Sequence, residues 1–508
     1  MKKHFTLALA LLLALALALP GFAAEEAVSY GAPPLKLGES GTEEGFCDRI
    51  TVYEDKLDSK TKVWNKVNNP VVAGNEYVVI LEEGKTIAKD PEGTILYEGD
   101  DVGAAVNSAI AVLEGNGGTV LIGAGDYEVK STIRMENNVT LWGIDRPKLQ
   151  NVAASPVILL PAYTCYTTIS NLIIDGGSGA VTAAGIEAKN YTCYNTYTDV
   201  YVFNLEGDGI SFRGAESKHN VLLRCKVTDA KTAGIAFYET AGNSLVQDCY
   251  VLRTRFHAII VSTGGSNMRI IDNTVVESGF YTDPEVIQFC HGIALDGYGK
   301  VHGHNNLVKG NMVKDAGMAG IEVCDYQNDA VVTGNVIDGT GTFRQLDCYG
   351  IYFGGGLTES VNCIITNNTI TNTHGPGIRV SAPLDHPFCE NVLIANNDIS
   401  NAGQDGVLIQ RANHVVINHN RIQNSGVVIS GSNGISIKGM EDMASDIIIT
   451  DNIATDTRKK QRQDFGLFVL NGNNVLVTGN DFSGNGEMDW FELNNINLTI
   501  DSELISEY

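Results

Sequence analysis

The sequence predicts an all-β chain wound as a single-stranded parallel β-helix, and three observations carry that reading. First, a phrase of glycine, an aliphatic residue, any residue and a second apolar residue keeps returning. It begins at Gly185, Gly209, Gly234, Ala258, Gly292, Gly320, Gly350, Gly377, Gly406, Gly434 and Gly466, at shortest spacings of 24 or 25 residues. Second, a short apolar run in the later copies ends at asparagine, at Asn273, Asn311, Asn335, Asn368, Asn397, Asn420, Asn452 and Asn480. Third, the apolar runs are about three to five residues long and bend at Gly and Asn, too short for helical solenoids or sandwich strands. A leucine-rich horseshoe would need an L-x-x-L-x-L signature, which the chain lacks.

Each element has a physical reason. Turns stacked about 4.8 Å apart let inward Ile, Val and Leu form one continuous core. Asparagine above asparagine can share amide hydrogen bonds while accepting the left-handed backbone of a tight corner. Cys225 and Cys249 take that place in two earlier copies, and Cys165 and Cys193 stand in two copies of Y-T-C-Y. Stacked cysteines of this kind read as small apolar packing residues in preference to disulfides. No C-x-x-C or H-E-x-x-H occurs among the ten cysteines and ten histidines, so a structural or hydrolytic zinc site has no support.

Composition narrows the function classes. The chain has 508 residues, 44% apolar and 19% charged, with 55 Gly and 12 Pro, which is the make-up of a folded protein. Its formal charge is −25 and it has no basic cluster suited to a nucleic-acid groove. Residues 1–24 read as a signal peptide, with Lys2 and Lys3, an apolar run from Phe5 to Leu19, and small residues near Ala23. The expected location is secreted, extracellular or at the cell surface, with no membrane span after signal removal.

Residues 99–143, "GDDVGAAVNSAIAVLEGNGGTVLIGAGDYEVKSTIRMENNVTLWG", combine an amphipathic helix (Val102, Val106, Ile110, Leu113) with the first β-turns. This segment resembles the N-terminal start of the pectate-lyase-like, right-handed parallel β-helix superfamily. The resemblance implies a right-handed solenoid over residues 99–490, with the helix as its cap. Residues 25–98 are expected to be an extended and then β-rich lead-in, and 491–508 a C-terminal tail. Family motifs for particular reactions are missing: there is no N-T-D, D-D, G-H-G and R-I-K set, and no D-P-H. "GDGI" at 207–210 resembles one fragment of the first set, and Cys324 stands where a related rung carries a carboxylate.

The variable positions of the repeat mark a face. If the second and fourth residues point inward, the third and fifth point outward, and the residue before Gly lies at the same corner. Across neighbouring turns those positions hold His257, His291, Asp296, Glu322, Tyr349, Tyr352 and Arg379, with Tyr238 nearer the N-terminus and Asp325 beside the column. Long insertions at 277–291, 338–349 and 454–465 enter the corner before that face and should wall a groove. Tyrosines, histidines, an arginine and carboxylates suit a polysaccharide or oligosaccharide. For hydrolysis, Asp296 and Glu322 are the expected acid and base, about 8 Å apart from strand dimensions, with no cofactor required. For lyase chemistry, Arg379, a histidine such as His291, or a tyrosine would take a proton, and Ca²⁺ on Asp296, Glu322 or Asp325 would neutralise a uronate. Tyr352, Tyr349, His257 and Tyr238 are the expected sugar-binding residues. The alternative is a non-catalytic, adhesin-like β-helix that binds glycan or protein.

Overall fold

Each turn of the chain places one strand in each of three parallel sheets, as Leu307–Lys309, Met312–Ala316 and Ile321–Cys324 do before Val331–Thr333 pairs with Leu307–Lys309. The computed structural model describes residues 76–501 apart from 114, 153, 178–183, 240, 281–289, 298–300, 342–347, 355–359, 385–386 and 440–443. The Gly-Ile strands lie in a 14-stranded sheet, and the strands following the asparagine form a 13-stranded sheet. The strands preceding it join an 18-stranded sheet that also takes in the N-terminal strands. The solenoid is right-handed, as expected. One apolar core, from Val79 to Phe482, runs its length.

Gly292 shows why the phrase opens with glycine. A Cβ there would lie 2.4 Å from Val313 Cγ1 and 2.6 Å from the Gly320 carbonyl oxygen of the next turn. The chain therefore bends against both a neighbouring sheet and the turn that follows.

The asparagine ladder is present. Asn335 Nδ2 donates to the Val308 carbonyl at 3.0 Å and to Asn368 Oδ1 at 3.0 Å, while its backbone N–H donates to the same Oδ1 at 2.9 Å. Equivalent bonds link Asn273 to Asn311 and continue to Asn480. At its start, Cys249 N–H donates to Asn273 Oδ1 at 2.9 Å, and Cys225 and Cys249 are buried free thiols. A second ladder, not apparent from the repeat, lines the corner entering the largest sheet. There Asn195 Nδ2 donates to Asn220 Oδ1 at 3.1 Å, Asn220 N–H to Ser244 Oγ at 3.0 Å, and Asn306 Nδ2 to Gln327 Oε1 at 2.7 Å.

Both ends differ from the expected boundaries. Glu76–Glu82, Lys85–Lys89 and Ile95–Gly99 form an antiparallel meander, and the first of them pairs in parallel with Gly118–Ile122. The end of the lead-in is thus continuous with the solenoid. Helix α1 (Val102–Ala111) follows, with Asp101 Oδ1 accepting from Gly103 N–H at 2.9 Å, and it buries Val102, Val106 and Ile110. At the other end, Met488–Leu493 and Ile496–Ile500 add strands where a tail was expected from 491. The alternating "INLTI" carries the ladder on, with Leu498 and Ile500 packed against the core. The expected signal peptide (1–24) and the expected extended stretch (25–45) lie outside the described residues.

The insertion before the 465–470 strand is organised by one carboxylate. Asp456, whose side chain has no solvent exposure, accepts from the Arg458 guanidinium and from the N–H groups of Arg458, Arg462 and Gln463. Burial by itself would raise its pKa. The guanidinium and the backbone donors outweigh that and bring it down to about 2.

Two predictions follow from these bonds. Asn368→Ala removes an acceptor from Asn335 and the donors to Val332 and Asn397, so it should cost about 2–3 kcal/mol in urea unfolding. Because the Asp456 pKa is depressed on folding, its contribution is complete above the ordinary aspartate range and is lost as pH falls towards about 2. Thermal melts between pH 5 and about 2 should therefore fall less steeply for Asp456→Asn than for the wild type, from a lower starting Tm.

Candidate active site

The outward columns read from the sequence are the columns of the 14-stranded sheet. Ala294 pairs with Glu322, Glu322 with Tyr352 and Tyr352 with Arg379, while Asp296 pairs with Cys324. Exposure differs along them, however. Ala236, Ile260 and Ala294, expected to face out, are buried with Ala233 in a small apolar cluster separate from the core, against which Tyr238 packs.

At the corner, the two histidines have a backbone task. His257 and His291 stack with ring centroids 5.2 Å apart, and both are nearly fully buried. His257 Nδ1 accepts from His291 N–H at 3.4 Å, and His291 Nδ1 accepts from Ala319 N–H at 3.1 Å. Asp208 and Asp405 do the same for Ala233 N–H (3.1 Å) and Asn433 N–H (2.7 Å). The corner column is thus a set of acceptors for the next turn. Burial, and secondarily the neighbouring His291, hold His257 well below the ordinary imidazole value, so it is neutral and fit to accept.

The tautomer of His291 follows from its partners. With Nδ1 accepting a backbone N–H, the ring proton sits on Nε2, which lies 2.9 Å from Glu322 Oε2. Both ring nitrogens are occupied, so His291 orients Glu322 and is not itself placed to take a proton. Cys324, two residues further along the same strand, is buried. Burial first, then the charges of Glu322, Asp296 and Asp325, push that thiol well above its ordinary value, which keeps it protonated.

Asp296, Cys324 and Asp325 offer three ligand atoms within 4.8 Å of one another. Of these, the two carboxylates suit Ca²⁺, which takes about six to eight oxygen ligands, and the thiol does not. Cys324 is the residue that the expected site lacked. Its position in the Asp296 column was visible in "GIEVC", but nothing in the sequence showed that its sulfur would lie within 4.8 Å of the Asp296 and Asp325 carboxylates.

Beyond Glu322 lies an aromatic and cationic group. Tyr349 and Tyr352 stack at 5.2 Å, and the Arg379 guanidinium lies 5.0 Å from the centre of the Tyr349 ring and donates to its hydroxyl. The Tyr352 hydroxyl donates to the Ser381 carbonyl at 3.3 Å. Burial pushes the Tyr352 phenol well above its ordinary value. Tyr238 is not part of this group. It lies two strands from Asp296, with its hydroxyl 3.5 Å from Asp208 and its ring 4.7 Å from the Arg213 guanidinium. Asp208, in the "GDGI" fragment, is 1% exposed and ion-paired to Arg213 at 2.6 Å, a structural role. The insertions before Gly292 and Gly350 are largely outside the described residues.

A right-handed β-helix bearing a part-buried, histidine-paired carboxylate on one sheet face defines the class. The chain belongs to the family described as "Right handed beta helix region", whose model matches residues 127–297, 286–439 and 389–506. Among curated protein sequences, none matches. Among solved structures, a tailspike protein mutant of E. coli bacteriophage HK620 in complex with pentasaccharide is similar, at 14% identity over 80% of this chain and 77% of that one, with a TM-score of 0.53. PfbA, a surface adhesin of Streptococcus pneumoniae, is 16% identical over 67% of this chain and 89% of its own (TM-score 0.48). The catalytic unit of a GH87 alpha-1,3-glucanase from Streptomyces thermodiastaticus is 14% identical over 78% and 66% (TM-score 0.46). At such identities the likeness is one of fold. Among the described residues, no helix is long and apolar enough to cross a membrane.

The corner role of His291 has a measurable consequence. His291→Ala leaves the Ala319 N–H without its acceptor and should lower stability by about 1–3 kcal/mol in urea unfolding. His291→Asn, which keeps a side-chain acceptor as Asp208 and Asp405 do at their corners, should recover part of that loss.

Proposed function

We propose that this chain is an exported, glycan-acting enzyme that binds a polysaccharide along the Gly-Ile face and cleaves it by carboxylate acid–base chemistry. The observation that carries the reading is Glu322, held by His291 Nε2 at 2.9 Å beside the Tyr349–Tyr352–Arg379 group. That bond fixes its orientation, which proton transfer to or from a substrate oxygen requires. Asp296 is the second carboxylate, one strand away. The paired tyrosines and the guanidinium supply the aromatic and cationic surface on which a sugar ring and its hydroxyls sit.

Hydrolysis is favoured over β-elimination by the state of the other bases. His291 has both nitrogens engaged, Tyr352 is held firmly in its phenol form, and Arg379 is tied to the Tyr349 hydroxyl. Each is a poor acceptor of a sugar C–H proton. A pentasaccharide complex of the HK620 tailspike supports oligosaccharide binding on this fold.

The mature chain would be tested against a panel of polysaccharides by the release of reducing ends. Glu322→Gln and Asp296→Asn should each lower the rate by about 10²–10⁴ while changing stability by only about 0.5 kcal/mol. Full activity in both variants overturns the assignment. Products with the ultraviolet absorbance of an unsaturated uronide would move the reaction to a lyase, and binding without turnover would make the chain an adhesin-like glycan receptor.

A further inference from the structure

The two copies of Y-T-C-Y lie on successive turns, far along the chain from Glu322. Thr168 pairs with Thr196 in the strands that follow them, Tyr163 N–H donates to the Asn190 carbonyl at 3.0 Å, and Tyr166 N–H to the Cys193 carbonyl at 3.1 Å. The two corners are therefore superposed residue for residue. Their four tyrosines share one left-handed conformation, with φ of 69° and 60° at Tyr163 and Tyr166 and 60° and 59° at Tyr191 and Tyr194. Ring stacks clamp the corner on both sides: Tyr163 on Tyr191 with centroids 4.8 Å apart, and Tyr166 on Tyr194 at 5.1 Å.

Between the stacks stand Cys165 and Cys193. Cys193 N–H donates to Cys165 Sγ at 3.3 Å, and Cys165 Sγ lies 3.5 Å from the Tyr191 carbonyl, so the first thiol points at the turn that carries the second. These two are partly exposed, whereas the other seven described cysteines are buried. In-register neighbours in a parallel ladder are about 4.8 Å apart, inside the Cα separation of about 4.4–6.8 Å that a disulfide spans. Closure needs the two Cβ atoms to approach by up to about 1 Å.

We propose that Cys165 and Cys193 are a dithiol–disulfide couple, two accessible thiols on adjacent turns that close to a covalent bridge by exchange with a low-molecular-weight disulfide. One thiolate attacks the small disulfide and releases one thiolate product. The other attacks the resulting mixed disulfide at the protein sulfur and releases the second. The two cysteine protons go to the two released thiolates, so the cysteines are oxidised and one small disulfide is reduced to two thiols. The bridge staples two turns of the solenoid at the tyrosine corner, in an oxidising compartment.

The full-length mature chain, incubated with oxidised glutathione at about pH 8.5, alkylated and digested, would be read by peptide mass spectrometry. The alkaline pH is chosen because burial raises the Cys165 thiol. The expected result is one cross-linked peptide pair joining Cys165 to Cys193, lighter by about 2 Da than the separate thiol peptides, with Cys225 and Cys249 alkylated only after denaturation. In Cys165→Ser, Cys193 should instead retain a glutathione adduct, because no second thiol displaces it. Stable glutathione adducts on both cysteines of the wild type would show that the sulfurs cannot meet, and would overturn the couple. Two unmodified thiols in the wild type, or an unmodified Cys193 in the variant, would equally overturn the exchange route.

Discussion

In-register stacking of one turn on the next is the constraint on which everything else in this structure depends. Each turn has polar backbone at three bends, and each bend carries buried side-chain acceptors. The buried N–H groups there must find acceptors. The chain meets this need with side chains: asparagine amides at one corner, an Asn–Ser–Gln series at another, and Asp or His at the corner before the Gly-Ile strand. Since each acceptor serves the turn above, every turn is tied to the next by polar bonds as well as by core packing.

The candidate site grows out of that same device. Where the corner residue is Asp208, its carboxylate is consumed by a backbone N–H and by Arg213, and the corner is inert. Where it is His291, one nitrogen serves the backbone and the other still has a proton to give, which it directs at Glu322. A histidine at this corner therefore connects the interior bonding of the solenoid to its outer face. Cys324 lies beside that carboxylate on the same strand, and its burial, together with three neighbouring carboxylates, keeps it a thiol.

The outer face is not a uniform groove. Small apolar residues at Ala236, Ile260 and Ala294 separate the Glu322 group from the Asp208–Arg213–Tyr238 group. The first gathers an arginine against a tyrosine hydroxyl and ring and a serine hydroxyl, together with carboxylates of mixed environment. The second is a closed ion-pair network. This difference, and not the residue types, separates a candidate for chemistry from a structural cluster.

Much of the fold was legible in the chain because a solenoid repeats its physics: Gly292, Asn335 and their equivalents recur at each turn for the same local reason, and the register of Asp296, Glu322, Tyr352 and Arg379 follows from their distance to the Gly-Ile phrase. The ends were less legible, since "INLTI" carries no Gly-Ile marker yet extends the ladder beyond residue 490. What the sequence by itself determined was the parallel β-helix and the column each residue occupies, because period and alternation decide both, while its right hand was what the family resemblance implied. Only the tertiary structure decided which atoms meet: that Tyr238 belongs with Asp208, that His291 is spent on Ala319 and Glu322, and that the Cys324 sulfur sits among three carboxylates. Those contacts depend on rotamers and, in most cases, on neighbours 28 or more residues away, and no period in the sequence encodes them.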